Sequence, residues 1–208
     1  MAKKAVQEQR TPKVLAHERK LLIEQEPQSA KSQKHIPLAS FVDGRILAEN
    51  CDESRELNNS SCYGTLLADG KLQLSALEAA YLAEKGKISI VDARKKAIRH
   101  DAFVKKVKSV EKNFSIRYAV FKDFRNRGYI IKTALKFGAD FRVYDRGVKP
   151  GQDHARWIVF PVHESSHMTW YDFSAKNRVA HSTKKRLMIA AVDDEGDVTY
   201  WEVRWARP

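Results

Sequence analysis

The second half of the chain contains five short apolar runs with the length and composition of β-strands. In chain order they are YIIKTAL, DFRVY, RWIVFPV, LMIAAV and VTYWEVRW. One helical stretch, WYDFSAKNRVAHSTKK, lies between the third and fourth runs, and Thr169 is suited to cap it, with Asp172 at the third position. The last run has apolar residues on both faces, which predicts burial by more than its own sheet, as at a subunit interface. The pattern predicts an α+β unit over residues 111–208.

A smaller α+β domain is predicted before this unit, over residues 38–110. FVDGRILAEN and YGTLLADGKLQL alternate apolar and polar residues around Asp-Gly turns, as hairpins do. LSALEAAYLAEKG is the clearest helix, with Ser75 and Glu78 as a capping box. The strand KISIVDA and the helix DAFVKKVKSVEKNF follow it. Residues 1–37 are basic, and we expect them to be a mobile extension.

The chain is strongly basic, with 38 Lys and Arg against 26 Asp and Glu and a net charge of +12. Such an excess favours a polyanionic partner, with nucleic acid ahead of an anionic membrane. No apolar run approaches the roughly 20 residues of a membrane span, and the N-terminus lacks the pattern of a secretory signal. Cys51 and Cys62 have no CxxC partner, which predicts reduced thiols. We therefore expect a cytoplasmic protein without membrane contact.

The letters HESSH at residues 163–167 match the H-E-x-x-H signature of zinc peptidases. That signature binds metal because two histidines one helical turn apart share a helix face. In this chain the motif directly follows the strand RWIVFPV, and Ser165 and Ser166 at its centre are poor helix formers. We therefore expect a connection between a strand and the next helix, and no metal site.

Two other nuclease and phosphate-binding patterns are weak or missing. Glu202-Val203-Arg204 is the nearest approach to the (D/E)-x-K pattern of metal-dependent nucleases, but arginine stands where lysine belongs and no aspartate partner is evident. The sequence contains neither GxGxxG nor GxxxxGK[ST], the glycine loops that cradle phosphates. These patterns do not predict a metal-dependent nuclease or a nucleotide-binding protein.

RNA can be cleaved without a metal when side chains supply three groups. These are a base for the 2′-OH, an acid for the 5′ leaving oxygen and a cation for the phosphoryl oxygens. Tyr144 ends the strand DFRVY, His154 closes the loop DRGVKPGQD and opens the next strand, and Lys184 and Lys185 follow the helix. Strand ends and loops on a rigid scaffold often carry catalytic groups. From spacing alone, packing or surface roles for these residues remain open.

The run YAVFKDFRNRGYIIKTALKFGADFRVYDRG, residues 118–147, resembles the tRNA-splicing endonuclease (tRNA-intron lyase) family, especially its archaeal members. The family pattern is an aromatic-rich helix, then R-x-R-G-Y, then K-F-G-x-D-F-x-V-Y. The similarity continues through HARWIVFPV and RVAHSTKKRLMIAAVDDEGDVTYWEV, and it covers roughly residues 40–205. The resemblance implies a small N-terminal α/β domain followed by a C-terminal mixed-sheet nuclease domain, which is an α+β fold.

The resemblance also implies a role for each candidate catalytic residue. Tyr144 matches the general base for the 2′-OH, and His154 matches the general acid for the leaving group. Lys185, three residues after the serine of AHSTKK, matches the lysine that stabilises the transition state. A tyrosine acts as a base only where nearby cations favour its phenolate. The implied products carry a 2′,3′-cyclic phosphate and a 5′-hydroxyl, and no cofactor is needed.

Other residues take family roles in RNA binding and assembly. Arg178 matches one of two arginines that sandwich a flipped base, and Arg204 is the best match for the second. His181, in the same block as Arg178, is expected to pack against its helix surroundings. Asp153 falls in the loop that we expect to contact a neighbouring subunit.

The implied substrate is precursor tRNA with an intron, recognised at a bulge–helix–bulge fold. Two cleavage sites must be spaced across one RNA, so we expect the chain to associate with itself or with a homologous structural subunit, as a tetramer. A homotetramer and a heterotetramer both remain open. The alternative is a non-catalytic subunit that binds RNA or supports assembly, and it has no need of the three catalytic groups.

Overall fold

The computed structural model describes residues 35–206 of the 208-residue chain. The described residues from Ile36 onward form one compact unit, which contains all the elements described below. Most of the basic extension predicted for residues 1–37 lies outside the described residues. Within the described part of the chain, no helix is long and apolar enough to cross a membrane.

The unit contains two five-stranded sheets, one in each half of the chain. The elements of the first half are β1 (Leu38–Val42), β2 (Arg45–Ala48), α1 (Asp52–Ser61), β3 (Thr65–Leu66), β4 (Leu72–Leu74), α2 (Ala76–Glu84), β5 (Ser89–Val91) and α3 (His100–Val110). Those of the second half are α4 (Phe114–Asn126), β6 (Ile130–Ala134), a short 3-10 helix (Leu135–Phe137), β7 (Ala139–Tyr144), β8 (Trp157–His163), α5 (Trp170–Ser182), β9 (Arg186–Val192) and β10 (Val198–Val203). The α+β class predicted from the sequence is confirmed.

The first sheet is built from the two predicted hairpins, in the strand order β3-β4-β2-β1-β5. Val42 pairs with Arg45 across a two-residue turn. Both turn residues, Asp43 and Gly44, have positive φ, at 49° and 74°. This is the conformation that an Asp-Gly hairpin turn requires, because its twist matches that of the flanking strands. β5 adds to the other side of β1 in parallel.

Helix α1 was not predicted from the sequence. DESRELNNSS lacks a regular apolar stripe and ends in asparagine and serine, which are poor helix formers. Local contacts hold it: Asp52 and Glu53 lie in the first turn, where negative charge is favourable. The Asn58 amide donates to the Tyr63 carbonyl at 2.8 Å and so fixes the exit of the helix. The acidic first turn was the available signal.

The sequence predicts the start of α2 correctly, but it places the ends of two other helices too far along the chain. The capping box at the start of α2 is present, since the Ser75 hydroxyl accepts from the Glu78 amide and the Glu78 carboxylate accepts from the Ser75 amide. The helix predicted over DAFVKKVKSVEKNF stops at Val110, and α4 starts separately at Phe114. α5 has the predicted N-cap but ends at Ser182 rather than at the end of STKK.

The second sheet is mixed, as the family resemblance implied, with the strand order β10-β9-β8-β7-β6. β8 and β9 are parallel and α5 connects them, whereas the other neighbours are antiparallel. Val143 on β7 pairs with Trp157 on β8, which pairs with Arg186 on β9. The end of β7 and the beginnings of β8 and β9 therefore lie at one edge of the sheet.

Both faces of the central strand β8 are buried. Trp157 and Val159 belong to the large core that contains α4, and Ile158 and Phe160 belong to a smaller core beneath α5. A strand covered on two sides reads as a continuous apolar run, which explains RWIVF. β8 is therefore a rigid support for the residues at its N-terminal end.

The large core contains residues from both halves of the chain. The ring of Tyr81 on α2 meets that of Phe121 on α4 edge to face, with centroids 6.0 Å apart. The buried guanidinium of Arg125 on α4 donates to the Ser61 carbonyl at 2.8 Å. The two halves of the chain pack extensively against each other. The domain boundary between residues 110 and 111 therefore stays a prediction.

Candidate active site

The three predicted catalytic residues line one cavity, although they come from separate segments of the chain. Tyr144 is the last residue of β7, His154 precedes β8, and Lys185 precedes β9. The cavity has a volume of about 360 Å³. Its lining residues are Phe137, Arg142, Tyr144, Gly151, Gln152, Asp153, His154, Ala155 and Lys185. The sheet topology explains why they meet, since the end of β7 and the beginnings of β8 and β9 lie at the same edge of the sheet.

Tyr144 is held by the sheet itself. Its residue is only 4% exposed, and its backbone pairs with Ile130 on β6. The guanidinium carbon of Arg142, two residues earlier, lies 5.9 Å from the centroid of the Tyr144 ring. The phenol therefore has a fixed position, with a cation beside its ring.

His154 lies in the loop before β8, and this corrects one detail of the prediction. The sequence placed His154 at the opening of the strand, but β8 begins only at Trp157. The His154 amide donates to the carboxylate of Asp153 at 2.6 Å, and the imidazole is exposed. Arg156 closes the loop, because its amide donates to the Val143 carbonyl at 2.9 Å. The imidazole is accessible to a substrate.

A tight helix end places Lys185 in the cavity. Lys184 has a left-handed backbone, with φ of 55°. The Lys184 amide donates to the His181 carbonyl at 3.0 Å and the Lys185 amide to the Ala180 carbonyl at 2.8 Å. This pair of hydrogen bonds is a Schellman motif, which usually has glycine at the left-handed position. The chain reverses there and enters β9.

The Lys185 ammonium has few partners. Its Nζ donates to the Thr183 carbonyl at 2.9 Å and lies 5.0 Å from the centroid of the Phe137 ring. Burial, and then the positive charge of Arg142, lower the pKa of the Lys185 ammonium below its ordinary value. Spacing alone left Lys184 and Lys185 as alternatives. Lys184 is exposed and does not line the cavity, so the geometry favours Lys185.

The two predicted RNA-stacking arginines lie outside this cavity. Arg178 is exposed on α5 and has no ion pair within residues 35–206. Arg204 follows β10, and its Nε donates to the Glu202 carboxylate at 2.7 Å. No contact in the described part of the chain joins the two guanidinium groups, so their pairing around a base stays a prediction.

Glu202 has a structural role that the sequence did not reveal. Its carboxylate accepts from Trp157 Nε1 at 2.7 Å and from Arg186 Nη1 at 3.1 Å, in addition to Arg204. The pKa of Glu202 is lowered to about 2. The hydrogen bond from Trp157 is the largest cause, and Arg204 and Arg186 also lower this pKa, whereas desolvation raises it. This carboxylate joins three segments of the sheet. Glu202, in the weak nuclease-like pattern Glu202-Val203-Arg204, therefore has a structural role.

HESSH forms the predicted connection between a strand and a helix. His163 is the last residue of β8, and α5 begins only at Trp170. The two ring nitrogens of His163 lie 2.7 Å from the Ser165 hydroxyl and 3.1 Å from the Asp194 carboxylate. No helix passes through the motif, so the two histidines do not share a helix face.

Two further predicted residues have identifiable surroundings. The ring of His181 stacks on that of Trp205 with centroids 5.2 Å apart, in agreement with a packing role. Asp153 is exposed and lines the cavity beside His154. Its proposed contact with a neighbouring subunit stays a prediction.

Comparisons with known proteins identify the family of both halves of the chain. Residues 38–104 match the N-terminal domain model of tRNA intron endonucleases, and residues 114–200 match the catalytic C-terminal domain model. A tRNA-splicing endonuclease of Pyrococcus horikoshii is 40% identical over 172 residues, which cover 82% of this chain and 98% of that protein. One from Methanothermobacter thermautotrophicus is 41% identical over 155 residues, covering 74% and 89%. One from Nanoarchaeum equitans is 41% identical over 149 residues, covering 69% and 94%. The chain therefore belongs to the tRNA-splicing endonuclease family of enzymes.

Proposed function

We propose that this chain is the catalytic subunit of a tRNA-splicing endonuclease that excises introns from precursor tRNA. Membership of the family supports cleavage of tRNA introns. The observation that carries the catalytic assignment is the single cavity lined by Tyr144, His154 and Lys185. A subunit used only for assembly has no need of a base, an acid and a cation at one sheet edge.

The proposed reaction is an attack of the ribose 2′-OH on the adjacent phosphate. Tyr144, as phenolate, accepts the 2′-OH proton while the new O–P bond forms. Lys185 stabilises the additional negative charge on the non-bridging oxygens. His154 donates a proton to the 5′ oxygen as its bond to phosphorus breaks. The products are a 2′,3′-cyclic phosphate and a 5′-hydroxyl.

The proposed mechanism is independent of metal ions. The roles that a metal would fill, activation of the nucleophile and stabilisation of charge, are assigned to Tyr144 and Lys185. We therefore expect cleavage of precursor tRNA to continue at the same rate in excess chelator. Loss of activity that zinc or magnesium restores would contradict this part of the proposal.

The proposed substrate is a bulge–helix–bulge fold, in which unpaired nucleotides flank a short duplex. The net charge of +12 provides an attraction to the RNA backbone that does not depend on sequence. Unpaired bases can be splayed out and stacked, which suits exposed guanidinium groups such as those of Arg178 and Arg204. Recognition is thus expected to depend on the shape of the RNA.

The enzyme is proposed to act as a tetramer, either of this chain alone or with a homologous subunit. β10 is an edge strand, and the residues Trp201 and Trp205 at this edge are 54% and 47% exposed. An exposed edge strand with large apolar residues is a surface that another subunit can cover. The solution mass of the chain, with and without RNA, tests the assembly state.

Single substitutions test the catalytic assignment. His154→Ala and Lys185→Ala are each expected to slow cleavage of a model bulge–helix–bulge RNA by about 10²–10⁴, while folding and RNA retention persist. His163→Ala and Lys184→Ala are matched controls, since neither side chain lines the cavity. Cleavage at the wild-type rate by both test variants would overturn the assignment.

A further inference from the structure

Arg142 is a second cation in the candidate active site, and neither the proposed mechanism nor the sequence patterns give it a role. It lies on β7 two residues before Tyr144, so both side chains point to the same face of the strand. It is half-buried and lines the cavity that contains His154 and Lys185. Its position is therefore within reach of anything that occupies this cavity.

Within the described part of the chain, no carboxylate forms an ion pair with Arg142. Its cross-strand neighbour on β6 is Lys132, whose ammonium pairs with the buried Glu78 carboxylate at 3.1 Å. Arg142 has no ion pair in residues 35–206, and its Nε is buried without a hydrogen-bond partner. Buried polar groups in native proteins are nearly always paired, so an unpaired guanidinium nitrogen beside a cavity needs an explanation.

Arg142 also faces a like charge. The positive charge of Arg142 contributes to the lowered pKa of Lys185, after burial. Two cations at one cavity that have no ion pair within residues 35–206 repel each other, and an anion between them offsets the repulsion. The carboxylate among the lining residues belongs to Asp153, and one of its oxygens accepts from the His154 amide at 2.6 Å. The cavity is therefore suited to an anionic ligand.

We propose that Arg142 is a further substrate-binding residue, which binds the RNA phosphate at the cleaved linkage together with Lys185. A guanidinium can hold two phosphate oxygens at once, whereas an ammonium acts as a point charge. Arg142 fixes the orientation of the phosphate, and Lys185 stabilises the charge that develops on it. This inference rests on the proposed function, because it assigns the cavity to the scissile phosphate.

A structural role for Arg142 predicts different behaviour. If the guanidinium only held the Tyr144 ring, its removal would slow the chemical step and leave the affinity for RNA unchanged. A residue that binds phosphate contributes to RNA affinity before any chemistry occurs. The dissociation constant of an RNA that cannot be cleaved therefore separates the two roles.

The test measures binding of a bulge–helix–bulge RNA with a 2′-deoxy nucleotide at the cleavage site. Arg142→Gln is expected to raise its Kd about tenfold, in line with loss of one charged hydrogen-bonding contact. The logarithm of the association constant falls linearly with the logarithm of the salt concentration. For Arg142→Gln this slope should become less negative by about 0.7 to 0.9, the effect of one phosphate contact. Arg142→Lys keeps the charge and should recover part of the affinity.

Arg55→Gln is the matched control, since it removes the same charge from α1, where Arg55 pairs with Asp52 at 2.9 Å. It should bind as the wild type does. Thermal unfolding verifies that each variant is folded. If Arg142→Gln does not fold, the binding measurement uses Arg142→Lys in its place. A wild-type Kd and salt slope for Arg142→Gln would overturn the proposal, whether or not cleavage slows. Where only Arg142→Lys folds, a wild-type Kd for that variant would overturn it, since its retained charge leaves the salt slope unchanged.

The two proposals fail in distinguishable ways. If the wild-type chain cleaves RNA and His154→Ala does not, but Arg142→Gln binds normally, only the role of Arg142 is wrong. If the wild type does not cleave the unmodified RNA, either alone or with a homologous subunit, the proposed function itself fails.

Discussion

Glu78 shows how one residue can have a local role that the sequence reveals and a distant role that it conceals. The capping box identifies Glu78 as the residue that closes the first turn of α2. The same carboxylate also accepts from the Gly64 amide at 3.0 Å and from the Lys132 ammonium at 3.1 Å. Lys132 is 54 residues away, on the second sheet. No local pattern indicates such a contact, because it depends on how the two sheets pack.

Glu78→Gln tests the importance of this buried pair. The substitution leaves the Lys132 ammonium without its counter-charge, so we expect the free energy of unfolding to fall by about 3 kcal/mol. Ser75→Ala, which removes the cap and the hydroxyl's hydrogen bond to Glu78 but keeps the ion pair with Lys132, should cost about 1 kcal/mol. Urea unfolding at neutral pH measures both. Equal losses for the two variants would show that the ion pair adds nothing to the cap.

The same variant has a predicted pH dependence. Burial raises the pKa of Glu78, but the charge of Lys132 and the amides of Ser75 and Gly64 outweigh it, so the pKa lies below its ordinary value of 4.5. The resulting stability is fully present above pH 4.5 and is lost as pH falls through the lowered pKa. The stability gap between the wild type and Glu78→Gln should therefore narrow in acid. A gap that stays constant down to pH 2 would contradict the assignment.

Among single residues, the sequence indicates only those site residues that belong to a recognisable family motif. Tyr144, His154 and Lys185 were named through the family resemblance, and the structure places all three at one cavity. Arg142 was not named, although it lines the same cavity, because an arginine in a strand is not distinctive by itself. The sequence pattern presents Glu202 only as a candidate metal ligand. Its partners are Trp157 on β8, Arg186 on β9 and Arg204, which follows β10.

At the scale of elements, helix α5 and the parallel strands it connects determine where Lys185 lies. The sequence predicted the helix and its Thr169 cap, but it placed the helix end beyond Ser182. The error has a physical cause. STKK has ordinary helix propensity, and the left-handed turn at Lys184 occurs where β9 must begin, so tertiary packing decides the end.

Lys184→Gly tests this helix end. A non-glycine residue in the left-handed conformation is strained, and glycine removes that strain at some cost in entropy. We expect the free energy of unfolding to rise by about 0.5–1 kcal/mol. Lys184→Ala is the control, since it removes the side chain but keeps the strain, and it should give no gain. A Lys184→Gly protein less stable than the wild type would contradict the strained geometry.

At the scale of the whole molecule, the fold class and most elements followed from the sequence, whereas the relation of the two halves did not. Hairpin turns and a capping box are local, so FVDGRILAEN and LSALEAAYLAEKG predicted their structures correctly. The shared core, with Tyr81 against Phe121 and Arg125 beneath Ser61, joins residues far apart in the chain. Such packing is not encoded in any short window.

The shared core predicts that the two halves unfold together. The chain provides two probes, because all four tryptophans lie in the second half and both cysteines lie in the first. Tryptophan fluorescence and reactivity of Cys51 and Cys62 should therefore report the same denaturant midpoint. Two separate midpoints would show that the halves are independent domains, as the predicted division at residue 110 implies.

The cavity of Tyr144, His154 and Lys185 is proposed to cleave RNA through the 2′-OH. The most direct measurement uses precursor tRNA with a single 2′-deoxy nucleotide on the 5′ side of one scissile bond, with excess chelator present. We expect that bond to stay intact, while the unmodified site yields a 2′,3′-cyclic phosphate and a 5′-hydroxyl. Cleavage at the deoxy position, or products with a 3′-hydroxyl and a 5′-phosphate, would contradict the claim.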